Sequence, residues 1–401
     1  MIDTAVRTRV LLVLTRPIPA APNSGRERTL AFIQNAVASR FELRSFQLDD
    51  ALRSPAPARA LRMLARLLRG LLSGMPCPLQ VALFEQGGRR KLLRRTIEEF
   101  HPDAVYFDGI RSVDALLDTR ARFPELRLIC DFDDLMSLRY ETLLQRRLPI
   151  SLGYLRERIP RLLQDFLQRG FVTRAVLAYE ARSLRNMETR AVAAADAVTV
   201  VSSTDIVRLR ANAGPALATR THVIPPGVLF PQDAIRTNAC RGFIFVGSDV
   251  LLQNRMSIEF LLELWSRVQP ARPLRIVGRM TGSYPAIAGV TFTGFVRDIG
   301  DVYHDGCIVL CPSFVEGGIK TKVLEALGQG VIPVGNALTF EGMGCDPGAL
   351  ALRDTDFAAF VRDPEALMPT LKQAASAMRA CVEGGYSFDA VTRAWSRLLQ
   401  C

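Results

Sequence analysis

The sequence predicts an α/β protein of two doubly wound domains. Three observations carry this. Short apolar runs alternate with helix-patterned stretches along most of the 401 residues, the βαβ rhythm of parallel sheets wrapped by helices. The rhythm restarts near residue 220. The charge changes there too: residues 1–215 hold 34 Lys and Arg against 23 Asp and Glu, and residues 216–401 hold 17 of each, so the whole excess of +11 lies in the first half. One doubly wound sheet rarely takes 400 residues. The domains are expected at 1–215 and 216–386.

In the first half, strands are expected at Val10–Leu14, Phe41–Leu48, Asp103–Phe107, Leu128–Phe132 and Ala197–Ser202, with a helix over Gly25–Ser39. In the second, strands are expected at Val223–Pro225, Gly242–Val246, Leu274–Val277, Val290–Thr293, Ile308–Cys311 and Val331–Val334, with helices at Met256–Val268 and Lys320–Gln329. The proline-rich segment His222–Gly227 is the expected hinge.

Composition narrows the class. Hydrophobic residues are 49% and charged residues 23%, which excludes disordered, collagenous and coiled-coil chains. Val10–Leu14 is too short for a signal-peptide core, and no run approaches the ~18 apolar residues of a membrane span. A cytoplasmic protein, at most peripheral on the inner membrane, is expected. The eight cysteines are scattered with no Cys-x-x-Cys pair, so buried thiols in a reducing compartment are expected, with no metal site.

Two basic, leucine-rich segments interrupt the rhythm. In 51–77, Arg59, Arg62, Arg66 and Arg69 share the helical spacing of Leu61, Leu64, Leu68 and Leu71, and the two sets fall on opposite faces of one helix. Residues 141–176 carry Arg146, Arg147, Arg156, Arg158, Arg161 and Arg169, broken by Pro149 and Pro160. Between them, 89–95 holds five cations in seven residues. Solvated helix faces are one reading, and docking on an anionic bilayer is the other. Nucleic acid is not expected as a partner, because aromatic residues are not interleaved with the arginines.

The densest chemistry lies in 312–334. A strand ends at Pro312, Gly317-Gly318 turns the chain, and a helix opens near Lys320. Helix-start amides and the helix dipole make an anion site, and paired glycines let backbone approach a phosphate. Lys320 and Lys322 add cations in a chain whose other lysines are only Lys91 and Lys372. Glu325 lies one turn in, within reach of ribose hydroxyls. A tight turn with two surface lysines is the plain alternative.

This stretch resembles the donor-site signature of GT-B glycosyltransferases of the group 1, family 4 retaining type, many of which build bacterial polysaccharides. Other matches follow in order: Pro19…Ser24-Gly25, Ala195–Ser202, Ile224–Val228, Phe245-Val-Gly247-Ser248 with Asn254, Ile276-Val-Gly278, and Phe292–Asp298. The resemblance implies two Rossmann-like domains facing each other across a cleft, and a last segment, 387–401, packing back on the first. It implies that Glu325 holds the nucleotide ribose, that Gly317 and Gly318 meet the donor sugar and diphosphate, that Val296 lies in the segment reading the base, and that Gly25 faces the donor phosphates. With them go Gly247, Ser248, Asn254, Arg255, Gly278, Glu316, Lys320, Thr321 and Lys322 as donor-binding residues. The donor would be a nucleoside-diphosphate sugar, UDP or GDP type, with no cofactor. One departure stands out. The family's first glutamate lies eight positions before the second, and here that place is Gly317, with Glu316 nine before Glu325. The usual Arg and Lys of the diphosphate site are also missing near Ser248 and Asn254. Lys320, Lys322 and Arg255 are the expected substitutes.

The acceptor side is expected at Asp131, Asp133 and Asp134, at a strand C-terminus where parallel sheets bind ligands. Asp133 stands where many relatives have a histidine, and an acid/base or acceptor-orienting role is expected there, with Arg139 near an acceptor phosphate. Capping of a helix by Asp133 or Asp134 is the alternative, and a metal-binding Asp-x-Asp a weaker one. Asp108 and Arg111 mark a second strand end. The catalytic set is therefore Asp133, Lys320 and Glu325. In retaining enzymes of this fold the leaving diphosphate takes the proton of the incoming hydroxyl, so the protein's work is mainly electrostatic. The expected activity is metal-independent hexosyl transfer to a glycan, lipid-linked or a cell-surface polysaccharide precursor. A sugar-nucleotide 2-epimerase and a non-catalytic partner of a glycan-assembly complex are the alternatives.

Overall fold

The computed structural model describes residues 8–19, 25–38, 40–48, 56–82, 84, 88–150, 166–296, 298–304 and 306–400. The chain forms two compact units. One takes Met1–Leu148, Phe166–Pro225 and Val391–Cys401; Pro226–Ala390 belong to the other.

The first unit holds six parallel strands: β1 (Arg9–Leu14), β2 (Glu42–Gln47), β3 (Ala104–Asp108), β4 (Arg127–Asp131), β5 (Ala197–Val200) and β6 (Thr221–Val223), in the order β2-β1-β3-β4-β5-β6. Val10–Leu14 are at most 4% exposed, as a strand covered on both faces requires. Edge strand β2 is largely exposed apart from Phe46. The intervening helices are α1 (Gly25–Ala38), α2 (Ala56–Leu72), α3 (Leu79–Ala82), α4 (Arg89–Phe100), α5 (Val113–Arg122), α6 (Met136–Gln145), α7 (Gly170–Ala194) and α8 (Ser203–Ala213).

The second unit holds β7 (Gly242–Val246), β8 (Leu274–Val277), β9 (Val290–Gly294), β10 (Cys307–Leu310) and β11 (Ile332–Val334), all parallel, in the order β11-β10-β7-β8-β9. Its principal helices are α9 (Leu252–Val268), α10 (Thr321–Gly328), α11 (Ala337–Phe340), α12 (Phe357–Arg362) and α13 (Met368–Tyr386). Phe243 lies at its centre, edge-on to Trp265 (5.4 Å) and to Phe360 (5.8 Å). The last helix, α14 (Phe388–Leu399), buries Val391, Trp395, Leu398 and Leu399 at helical spacing. Trp395 meets Tyr106 of β3 edge-on at 5.6 Å.

Three expectations change. The strand expected at 223–225 to open the second domain is instead β6, which pairs with β5 and closes the first sheet. Pro225 and Pro226 have no N–H to donate, so the ladder stops before them, and residues 216–225 belong to the first unit. The cysteines are not all thiols: Cys345 and Cys381 form a disulfide joining the 341–347 loop to α13. Cys77, Cys130, Cys240, Cys307 and Cys311 are free and buried. Arg156, Arg158, Pro160 and Arg161 lie outside the described residues, as do Ser24 and Arg297. No helix among the described residues is long and apolar enough to cross a membrane.

Trp395→Ala should cost about 3–5 kcal/mol. Calorimetry should show the melting transition of the first unit moved down and that of the second unmoved.

Candidate functional site

In the second sheet the chain runs outward from β7 to β9, then returns to the other side of β7 for β10 and β11. Doubly wound sheets bind ligands at strand C-termini where the order reverses. Here those termini lead into Gly247–Asp249 and Pro312–Ile319.

The glycines at this edge are required by contact and by conformation. A Cβ on Gly278 would stand 2.4 Å from the carbonyl oxygen of Gly247, and one on Gly247 would stand 2.8 Å from the Asn254 amide. Gly317 and Gly318 have φ of 87° and 64°, the left-handed region that side chains avoid. Together they turn the chain into α10, whose first turn has no side-chain cap. Backbone amides therefore front this edge.

Asn254 joins the two loops. Its Nδ2 donates to the Ser248 carbonyl at 2.9 Å, and its Oδ1 accepts from Lys322 Nζ at 3.0 Å. The Lys322 ammonium lies 4.2 Å from the centre of the Phe245 ring. Burial lowers its pKa, while Cys311 and Glu325 oppose that shift. Lys320 Nζ donates to the Gly317 carbonyl at 3.0 Å, bracing the glycine turn. Ser248 Oγ donates to the Arg279 carbonyl at 2.7 Å, and Arg255 to that of Asp249 at 3.2 Å. Thr321 opens α10, and Glu316 and Glu325 are half-buried beside these groups. Val296, beyond β9, packs on the core of the unit.

Several anchors were not legible in the sequence. Asp249 accepts from the amides of Thr281 and Gly282 and from the hydroxyls of Thr281 and Tyr284, all within 3.1 Å. Burial alone would raise its pKa, but these donors hold it below the usual carboxylate range. Asn336 bonds both the N–H and the carbonyl of Ser313 (3.1 and 2.9 Å), and Ser257 Oγ donates to Pro312 O at 2.6 Å. The stem of the glycine turn is thus pinned from the N-cap of α11 and from α9.

The first sheet reverses at β1, between β2 and β3. Register sets Asp108 of β3 directly beside Asp131 of β4. Arg26, the second residue of α1, lies between them. It donates to Asp108 Oδ1 at 2.7 Å and to Asp131 Oδ2 at 2.8 Å. Thr15 donates its N–H and hydroxyl to Asp108 Oδ2 (3.1 and 2.5 Å). Tyr106 OH donates to Asp131 Oδ2 at 2.6 Å, and Thr199 Oγ1 to Asp131 Oδ1 at 2.8 Å. Burial is the largest influence on the Asp108 pKa and works to raise it, but Arg26, Arg16 and the Thr15 hydroxyl together outweigh it and hold the carboxyl low. Asp108 and Asp131 are therefore the counter-ions of a buried arginine, and neither has an oxygen open for an acceptor or a metal. Among the described residues no group of three His, Cys, Asp or Glu side chains could hold a metal ion. Gly25 opens α1 and so carries Arg26 into place.

The remaining acceptor residues separate. Asp134 is ion-paired with Arg139, so the two neutralise one another. Arg111 donates to the buried Gln80 at 2.9 Å. Neither aspartate caps α6: Glu188 of α7 accepts from the N–H and hydroxyl of Ser137 (3.0 and 2.5 Å) in its first turn. Asp133 stays at the edge, with its side chain 34% exposed, 3.5 Å from the Arg26 guanidinium. Its φ of 66° is rare for a residue with a side chain and marks stored strain. Burial, with Asp134 and Asp131 nearby, pushes its pKa up to about 7 against the pull of Arg26.

Residues 240–373 match the family described as glycosyl transferases group 1. The second unit carries a group 1 glycosyltransferase domain. Its glycine turn, Asn254, Lys320, Lys322 and Glu325 all lie within the matched residues. The whole chain has the fold of GT-B glycosyltransferases. It is similar to sucrose-phosphate synthase from Thermosynechococcus elongatus (TM-score 0.64, 15% identity, 98% of each chain). It is also similar to HepE from Anabaena, solved with UDP-glucose (TM-score 0.57, 14% identity, 98% of this chain and 99% of that one). The lipopolysaccharide outer core galactosyltransferase WaaB gives a TM-score of 0.56 at 10% identity, over 98% of this chain and 99% of its own. Among curated proteins none matches.

Two outcomes are expected. Gly278→Ala should push β7 and β8 apart at Gly247, and calorimetry should show the melting transition of the second unit moved down. Arg26→Met should cost about 3–5 kcal/mol, because it leaves two buried carboxylates without their cation. Asp108 stabilises the wild type above its unfolded pKa, and that stabilisation is lost as pH falls through its depressed native pKa. In the variant burial raises that pKa instead. In denaturant titrations the stability gap should be widest above the variant's raised pKa and should narrow as pH falls toward the depressed pKa of the wild type.

Proposed function

We propose that the chain transfers a hexosyl group from a nucleoside-diphosphate sugar to a glycan, with retention of configuration and without a metal ion. The carrying observation is the second-sheet edge, where a glycine turn and a helix start meet Lys320 and Lys322 inside the group 1 domain. Amides and ammonium groups suit a diphosphate leaving group, whose developing charge they neutralise. Glu325 is assigned to the ribose hydroxyls and Val296 to the base. A UDP-sugar is the first donor to test, because HepE of the same fold was solved with UDP-glucose; GDP is the second.

The bond from the anomeric carbon to the diphosphate oxygen breaks, and its electron pair stays on the diphosphate. The acceptor oxygen bonds to the same face of that carbon, and its proton passes to the departing phosphate. The second unit holds the donor in this reading, and the first holds the acceptor. Asp133 is assigned to the acceptor hydroxyl: it keeps a partly exposed carboxyl whose pKa near neutrality suits both accepting and donating a hydrogen bond. Asp108, Asp131 and Arg26 hold it in place. A lipid-linked glycan at the inner face of the cytoplasmic membrane is the acceptor class proposed.

Thermal shifts with UDP, GDP, dTDP, CDP and ADP test the donor side. A ligand at about 100 times its dissociation constant adds roughly 2.7 kcal/mol. One nucleotide should raise the melting point of the second unit, and Glu325→Ala should abolish that rise. No shift with any nucleotide would overturn the reading in favour of a non-catalytic partner of a glycan-assembly complex.

A further inference from the structure

The amphipathic helix α2 presents its apolar face to water. Leu61, Leu64, Leu68, Leu71 and Leu72 are 50–89% exposed, and Met75 beyond the helix end is 51% exposed. At 3.6 residues per turn the five leucines share an arc of about 100°. The opposite side does the packing. A Cβ on Gly70 would stand 2.9 Å from Cys77 N and from Met75 O. Arg66 turns inward as well, donating to the Val81 carbonyl at 3.0 Å and pairing with Asp114 of α5. A helix ordinarily buries its leucines and exposes its arginines. Here Arg66 is committed to the unit and the leucines are not.

The surroundings of the stripe are cationic. The helix carries four arginines and no acidic residue. Arg62 and Arg69 face solvent, about 80–100° round the helix from Leu61. Asp114 also receives Arg90 of α4 at 3.4 Å, so α2 and α4 lie against the same residue of α5. Helix α4 adds exposed Lys91 and Arg95 beside Leu92, which is 43% exposed. An apolar stripe edged by cations, without anions on its own helix, matches the layered chemistry of an anionic bilayer: phosphates at the level of the arginines and acyl chains below. A protein partner would leave the one-sided charge without an evident purpose.

We propose that α2 lies in the surface of an anionic membrane, with Leu61, Leu64, Leu68 and Leu71 in the acyl boundary and Arg62 and Arg69 on lipid phosphates. This stands apart from the transferase reading, since neither α2 nor α4 carries a residue of the donor site. Vesicle co-sedimentation of the full chain tests it, with phosphatidylcholine vesicles containing or lacking phosphatidylglycerol. The wild type should partition onto the phosphatidylglycerol vesicles and less at high salt. Leu64→Glu with Leu68→Glu should lower the partition coefficient at least tenfold without moving the melting temperature, because both side chains are already exposed. Arg62→Gln with Arg69→Gln should lower it severalfold. In a separate Leu68→Trp variant, emission should shift to the blue on vesicle addition. Unchanged partition of the double-leucine variant would overturn the proposal and leave charge alone as the cause of binding. Absence of vesicle binding would overturn it too. If light scattering then shows a dimer that the double-leucine variant abolishes, a second copy covers the stripe.

Discussion

Within each sheet every strand runs the same way, and most of the molecule's chemistry depends on that. Parallel strands release all their C-termini at one edge. Polar groups that cannot enter the apolar interior collect there, and each must find a partner or face a ligand. Gly247, Gly278 and the Gly317-Gly318 turn mark that edge in the second unit; Thr15, Asp108 and Asp131 mark it in the first.

The two edges are solved differently. In the second unit glycine lets the backbone segments approach one another closely at the edge, and side chains brace them from behind. Asn254, Asp249, Asn336 and Ser257 spend their hydrogen-bonding capacity on loops, and Lys322 is held under the turn by Asn254 and Phe245. A positive charge fixed this way costs little reorganisation when an anion arrives. In the first unit one buried arginine neutralises two buried carboxylates. Removing any member would strand the others, which makes the network all-or-none. Of its acids only Asp133, held in a left-handed conformation, keeps a partly exposed side chain.

The charge asymmetry also acquires a place. Many of the first unit's arginines go inward or into pairs: Arg26 with Asp108, Arg94 with Asp118, Arg120 with Asp196, Arg185 and Arg208 with Glu141. What remains outward on α2 and α4 accompanies exposed leucines, so charge and apolar surface coincide there.

The central strands were legible in the sequence because a strand buried on both faces must be an unbroken apolar run, and the last helix was implied by the resemblance to the family. The glycine turn at 317–318 was legible because few other residues tolerate that backbone. The sequence by itself therefore determined two doubly wound units and the glycine turn that opens a helix at one sheet edge. It did not show which of Asp131, Asp133 and Asp134 stays open, since Arg26 stands 105 residues from Asp131 and such a pair exists only once β3 and β4 align. It did not show that Cys345 would meet Cys381, nor where the first sheet ends. Periodicity placed leucines and arginines on opposite faces of α2 without saying which face would meet the protein. Tertiary structure decided that, because Gly70 and Arg66 fit against neighbours whose positions no local pattern encodes.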